Sequence, residues 1–311
     1  MRKVLIGVLL VTVLMICFVI SGFASGSSLY KTTPADEKWA TYASKDEMVA
    51  ACKINSNILS NMTTDDIVKA VLDYPLLVNI YLYDSYEEGL EALAKDSDAY
   101  RELLKRPDAG EKLLSRLQTS SFNSNEDSLE KKTIKLLTVE KTVWNNIEDK
   151  QSAERLLAPN VININVQTPN NTSVPVVIQG EGLTSDQKTA IDNQTKRAYP
   201  NATFLASSTT NYNCHSYAWY WASTSNLYWM DNPSAYMSDG SYNRVTSTSA
   251  AGDRMYFDYG AHSAVVYAAG GPIGNLNLLT VTSKWGQGPL MRHVANYSPY
   301  SSSAVTLWRK K

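Results

Sequence analysis

An α+β fold follows from three observations on the sequence. Apolar residues recur at helical spacing from Lys45 to about Ile147. From Val161 onward the pattern turns to short alternating or apolar runs separated by Gly, Pro and Asn. Within that second part, the helix-forming stretch "CHSYAWYWA" at 214–222 stands ahead of three strand-like runs, so a helix packs on an antiparallel sheet. The expected plan is an all-α N-terminal module followed by a domain in which a helix faces a sheet.

The chain opens with Met1-Arg2-Lys3, an apolar run from Val4 to Ile20 and the small pair Gly22 and Ala24. A basic start, an apolar core and a small-residue cleavage point make 1–24 a secretory signal, and the expected location is secreted or cell-surface. The run is nearly long enough to span a bilayer, so an uncleaved anchor is the other reading of the same residues. Contact with a membrane is then transient or made through that segment alone. Residues 25–45 are small and polar and read as a linker. The helical module spans 46–157 and the α+β domain 158–311.

In the module, Thr63-x-x-Asp66 caps a helix whose Ile67, Val68, Val71 and Leu72 form one face and which ends near Pro75. A second helical segment runs from Leu76 to Leu93 and a third from Tyr100 to Lys105. Pro107 suits the first turn of a helix carrying Leu113, Leu114 and Leu117. Asp127-x-x-Glu130 opens a longer one that includes Leu136, Leu137, Val143, Trp144 and Ile147. No clustered His, Cys or paired carboxylates mark this half, which reads as a packing or targeting module.

After Pro159 the residues Ile162, Ile164 and Val166 alternate with Asn163 and Asn165 as one strand, and Pro175 to Ile178 form another. Thr184-x-x-Gln187 caps a polar helix that reaches Ala198. "PNATFLASSTTNYN" is a loop leading to Cys214. "RMYFDYG", "HSAVVYAA" and "LNLLTVTSKW" are the three later strands, with a tight turn at Tyr259-Gly260 between the first two. Asp253, in a Gly-Asp pair, is a turn residue.

A net charge of −1 over 311 residues provides no electrostatic footprint for nucleic acid. Of three cysteines, Cys17 lies in the signal. Cys52 and Cys214 remain, and in an oxidising compartment a bridge between them competes with a catalytic thiol. Neither a metal nor an organic cofactor is implied. A zinc site from Cys214, His215 and His262 lacks the paired spacing of zinc ligands.

A thiol at the start of a helix sits at the positive end of the dipole, which favours the thiolate and makes Cys214 a candidate nucleophile. The base is one of three histidines. His215 is adjacent in sequence, so helical geometry points its side chain away from that of Cys214. His262 opens a strand that can pack against the cysteine helix and complete a Cys-His pair for acyl transfer. Thr282, Ser283 and Lys284 end the next strand, and Ser283 is the expected orienter of the imidazole. Backbone amides near Cys214, with Tyr212 and Asn213, are candidates for an oxyanion site. Tyr217 and Trp285 are candidate cleft walls, the latter in the turn Trp285-Gly286-x-Gly288-Pro289.

Cys214-x-x-Tyr217-Ala218, Gly252-Asp253 and Ala261-His262 resemble the CHAP amidases and NlpC-like cell-wall peptidases over about residues 200 to 300. That resemblance implies a papain-like core, with Cys214 as nucleophile, His262 as base and amide bonds of peptidoglycan peptides as substrate. His215 beside the cysteine marks a departure from those families, as does "TSKWGQGPLMRH", which does not present the Glu or Asn that completes a CHAP site or, where it is expected, the second histidine of NlpC-like enzymes. Two other functions stay open on the same residues. One is a non-catalytic secreted module that binds glycan or peptide at an aromatic cleft, and the other is a transglutaminase-like acyltransferase.

Overall fold

The computed structural model describes residues 29–119, 128–147, 161–179, 182–257, 260–269, 275–300 and 304–311. The expected signal at 1–24 and the module boundary at 157/158 lie outside those residues. Among the described residues no helix is long and apolar enough to cross a membrane.

The fold is α+β, as the sequence predicts. Helices α1 (Lys45–Ala51), α2 (Ser56–Ser60), α3 (Thr64–Leu72), α4 (Tyr86–Asp96), α5 (Asp98–Leu103), α6 (Ala109–Thr119), α7 (Leu129–Thr138) and α8 (Lys141–Asn145) come first. The Thr63 side chain caps α3 by accepting from the Asp66 amide, and Ile67, Val68 and Val71 are buried. The expected helix over 76–93 is two elements. A 3-10 turn, Leu77–Tyr81, ends before α4 begins. Ser85 and Glu88 form a reciprocal capping box that starts α4 and leaves Leu82, Tyr83 and Asp84 outside any helix. The long helix expected from Asp127 is likewise broken, because Glu140 accepts from the amides of Thr142 and Val143 and starts α8 afresh.

β1 (Val161–Gln167) and β2 (Ser173–Gln179) form a separate antiparallel pair. Val166 is buried there, whereas Ile162 at the far end is exposed. α9 (Ser185–Ala198) carries the capping box read from Thr184 and Gln187. The remaining strands build a seven-stranded sheet. They are β3 (Thr203–Ala206), β4 (Tyr242–Val245), β5 (Arg254–Phe257), β6 (Ser263–Ala268), β7 (Thr280–Lys284), β8 (Leu290–Val294) and β9 (Val305–Lys310). Their order across the sheet is β3-β8-β7-β6-β5-β9-β4, every pair antiparallel. β3 lies inside the stretch expected to be a loop. Four residues carry too short a pattern to read, and pairing with β8 supplies the order.

Helices and sheet share a hydrophobic core. Ile67, Tyr81, Leu93, Leu113 and Leu137 join one cluster with Ile191, Tyr199, Trp285, Met291 and Tyr300. The residues read as a linker belong to it from Tyr30 on. The Tyr30 hydroxyl donates to the Ala70 carbonyl at 2.7 Å, and the Trp39 indole donates to the Ala198 carbonyl at 2.8 Å. Truncating a fully buried tryptophan such as Trp39 costs about 3–5 kcal/mol, so this segment is structural. A second cluster packs Val166, Val174 and Val176 on Trp219, Tyr236 and Tyr242. Asp253 closes its turn by accepting from the Ala250 amide and pairs with Arg309.

Candidate active site

Cys214 and His215 begin a short helical stretch whose hydrogen bonding widens over Ser216–Tyr220 to the π-type spacing. The Trp221 amide reaches back to the Ser216 carbonyl at 3.0 Å. Such widening is frequent at functional sites. Asn213 fixes the start of this stretch. Its side-chain oxygen accepts from the amides of Ser216 and Met230, both at 3.1 Å. Its amide nitrogen donates to the Met230 carbonyl at 2.8 Å and to Asp84 Oδ2 at 2.9 Å.

The Cys214 thiol donates to the same Asp84 oxygen at 3.2 Å. The backbone N–H of Ser263, the residue after His262, also hydrogen-bonds the sulfur and favours its thiolate form. Burial and the Asp84 charge outweigh that effect and push the thiol well above its ordinary range. The expectation that the helix start would favour the thiolate is thus overturned, because the dipole of so short a helix is opposed by burial and a carboxylate. Asp84 is itself raised to about 7, chiefly by burial, with the hydrogen bond from Cys214 pulling the other way. Cys52 and Cys214 are both free, buried thiols. The bridge that competed with the catalytic reading is absent, and burial raises the Cys52 thiol to about 12.

His215 is not turned away from the cysteine. Its Nε2 lies 3.9 Å from Asp84 Oδ2, and ligand atoms of Asp84, Cys214 and His215 fall within 4.8 Å of one another. Its hydrogen bonds decide what it can do there. Nε2 lies 2.9 Å from the Gly260 carbonyl, which only accepts, so Nε2 carries the proton. Nδ1 lies 2.8 Å from the Ser263 hydroxyl. That hydroxyl accepts from the Trp219 indole at 2.9 Å and donates to Nδ1. Both ring nitrogens are engaged, so His215 offers no lone pair to a proton or to a metal. A zinc ion on Asp84, Cys214 and His215 does not fit this donor set. Burial lowers His215 to about 4 and keeps it neutral.

His262 has the opposite character. It is fully buried, and neither ring nitrogen has a hydrogen-bond partner among the described residues. The ring is held by packing. Tyr300 stacks on it at 3.7 Å and 17°, and Phe257 meets it edge-on at 5.0 Å. Burial, then the neighbouring His293 and His215, lower it well below the ordinary imidazole range. Gly260, at φ +89°, makes the turn ahead of it, while Tyr259 of the expected Tyr259-Gly260 turn lies outside the described residues.

Ser283 does not orient His262. Its hydroxyl bonds His293 Nε2 at 2.8 Å and accepts from the Trp285 indole at 3.0 Å. β7 and β8 pair Val281 with His293 and Ser283 with Met291, which sets Ser283 and His293 diagonally across the ladder. The polar orienter expected for His262 is replaced by the Tyr300 ring. Tyr212 is buried and stacks on Tyr217 at 6.0 Å. Trp285 is a core residue, packed edge-on against Tyr199 at 4.9 Å.

Two participants, Asp84 and Tyr300, are not read from the sequence, and a third, Lys284, is read there only as one of three polar residues ending a strand. Lys284 is buried, and its ammonium donates to the carbonyls of Thr209, Gly286 and Gly288 at 2.5–3.0 Å. Burial lowers it to about 7, against the pull of Asp84 and Cys214. Asp84 and Tyr300 arrive from distant parts of the chain. The motif Ser85-x-x-Glu88 is a legible helix start and could have placed Asp84 in a break between helices. No local signal marks Tyr300.

No protein-family model matches the sequence, no curated protein is significantly similar to it, and no solved structure significantly matches its fold.

Proposed function

We propose that this chain is an exported thiol hydrolase that cleaves amide bonds, with Cys214 as nucleophile and His262 as base. One observation carries the reading. The Cys214 sulfur meets the backbone amide next to His262, whose ring nitrogens have no hydrogen-bond partner among the described residues. A buried polar ring without partners costs stability, and a base that must accept and return a proton accounts for that cost.

The chemistry follows from the positions. His262 takes the Cys214 proton as the sulfur adds to the amide carbon. The carbonyl oxygen then becomes an oxyanion, which the Asn213 side-chain N–H stabilises when Asp84 does not occupy it. Collapse breaks the C–N bond, and the imidazolium returns its proton to the leaving amine. Water, deprotonated by His262, releases the acid from the thioester and regenerates the thiol.

The resemblance to CHAP amidases and NlpC-like peptidases, with a papain-like core, and the signal-like first residues support peptidoglycan peptides as the substrate and the cell surface as the location. The test is release of new amino groups from purified peptidoglycan. Cys214→Ala must abolish it, and retained release by that variant ends the proposal. The full burial of both Cys214 and His262 favours a second reading, a non-catalytic peptide-binding module. In that case the wild-type chain releases no amine and Cys214→Ala binds peptide unchanged.

A further inference from the structure

We propose that Tyr81–Ser85 occupies the substrate cleft as an internal acidic peptide and holds Cys214 latent, an inference that rests on the thiol hydrolase reading above. The segment leaves the 3-10 turn at Tyr81, bends at Leu82 and is seated by its main chain. The Gln287 amide donates to the Tyr81 carbonyl at 3.0 Å, and the Tyr300 hydroxyl donates to the Leu82 carbonyl at 2.5 Å. The Trp285–Gly288 turn is shaped to receive it. A Cβ on Gly286 would lie 2.0 Å from the Tyr83 carbonyl oxygen, and one on Gly288 would lie 2.2 Å from the Leu82 side chain. Glycine at 286 lets the two backbones touch, and glycine at 288 leaves room for the Leu82 side chain. Tyr83 and Tyr86 fasten the flanks, through hydroxyls that donate to the Pro299 carbonyl at 2.7 Å and to Gln287 Oε1 at 2.8 Å.

Asp84 shows what the cleft takes. Its Oδ2 accepts from both Asn213 and the thiol, which is where the oxygen of an attacked carbonyl, or the carboxylate of a cleaved product, would sit. Its Oδ1 has no hydrogen-bond partner among the described residues, and its side chain is only 13 % exposed. A carboxylate half-unpaired in so buried a place costs stability. The nearby Lys284 instead spends its N–H groups on three carbonyls. The geometry is that of an inhibitor facing a nucleophile, and the ligand class is a peptide that brings a carboxylate to Asn213.

The experiment uses the full chain in a Cys17→Ala/Cys52→Ala background, so that Cys214 is the one cysteine, and measures its alkylation by iodoacetamide by intact mass. Asp84→Ala should raise the rate tenfold or more. Added acetate, a carboxylate small enough for the space the side chain leaves, should return it toward the starting value. Tyr300→Phe keeps the ring on His262 and removes the hydrogen bond to Leu82, so it should raise the rate severalfold with near-ultraviolet circular dichroism unchanged. Rates that do not rise in folded variants, or a rise in Asp84→Ala that acetate does not reverse, would overturn latency. Loss of both alkylation and hydrolysis in Asp84→Ala would make Asp84 a catalytic residue, and would also overturn it. An acetate-reversible rise without amine release from peptidoglycan would support the occupied cleft while refuting the hydrolase.

Discussion

Cys214 donates its thiol hydrogen to Asp84 across 3.2 Å, joining residues 130 positions apart in sequence. The contact ties the helical half of the chain to the sulfur. It raises the thiol, since a carboxylate beside it disfavours a second negative charge, whereas the donated hydrogen bond draws Asp84 down against the burial that raises it.

Removing that charge while keeping the shape should therefore free the thiol. Asp84→Asn retains an oxygen that accepts from Asn213 and Cys214. The apparent pKa of Cys214, read from the pH dependence of alkylation, is expected to fall by about one unit or more. An unchanged or higher value would mean that burial alone sets it.

Two of the three histidines separate under substitution. The ring nitrogens of His262 make no hydrogen bond among the described residues, so His262→Phe keeps the stack on Tyr300 and abandons no buried partner there. Its stability in urea should stay within about 1 kcal/mol of the parent, while amide hydrolysis falls by about 100-fold or more with loss of the base. His215→Phe takes away the acceptor of the Ser263 hydroxyl proton and the ring N–H donor to the Gly260 carbonyl. That variant should lose roughly 2–4 kcal/mol in the same urea titration. If the two variants behave alike, the roles given to the two residues are wrong.

How far the site was legible follows from where its parts lie. Cys214, His262, the capping box at Thr184 and the N-cap at Thr63 sit in local patterns, and helix starts and strand alternation are written within a few residues. Ser283 failed because a strand-end hydroxyl can meet neighbours on either side, and only the β7–β8 register shows that it faces His293. His215 was set aside from ideal helical geometry, but the stretch widens to π-type spacing immediately after it. Asp84 and Tyr300 reach the site through the shared core, and long-range packing of that kind leaves no trace in local spacing.

Lys284 holds the cleft turn from beneath. Its three N–H groups match three carbonyls from two loops, and Lys284→Met replaces it at similar length without a donor. Carbonyls left without partners cost about 1–3 kcal/mol each before relaxation. Urea unfolding should show a loss of roughly 2–4 kcal/mol. Hydrogen exchange at the Gly288 amide, which bonds the Trp285 carbonyl at 2.7 Å, should accelerate. An unaltered midpoint would show that the turn stands without the lysine.

The same buried groups set the acid stability of the fold. His215 and His293 are each lowered to about 4, mainly by burial, and His262 is lowered further in the same direction. A histidine depressed on folding contributes stability that is present above its unfolded value of about 6.5 and lost as pH falls through its folded value. At about 1.4 kcal/mol per unit, each depression to about 4 is worth roughly 3 kcal/mol. Asp84, raised to about 7 by burial, acts in the opposite sense, and its contribution is present at low pH and lost as pH rises through 7. Three histidines outweigh one carboxylate between pH 6.5 and 4, so the urea midpoint should fall steadily across that window. Replacing the unpartnered His262 with Phe should flatten the fall, because that position no longer takes up a proton on unfolding. A midpoint that stays level or rises toward pH 4 would mean that these imidazoles titrate as freely in the folded chain as in the unfolded one.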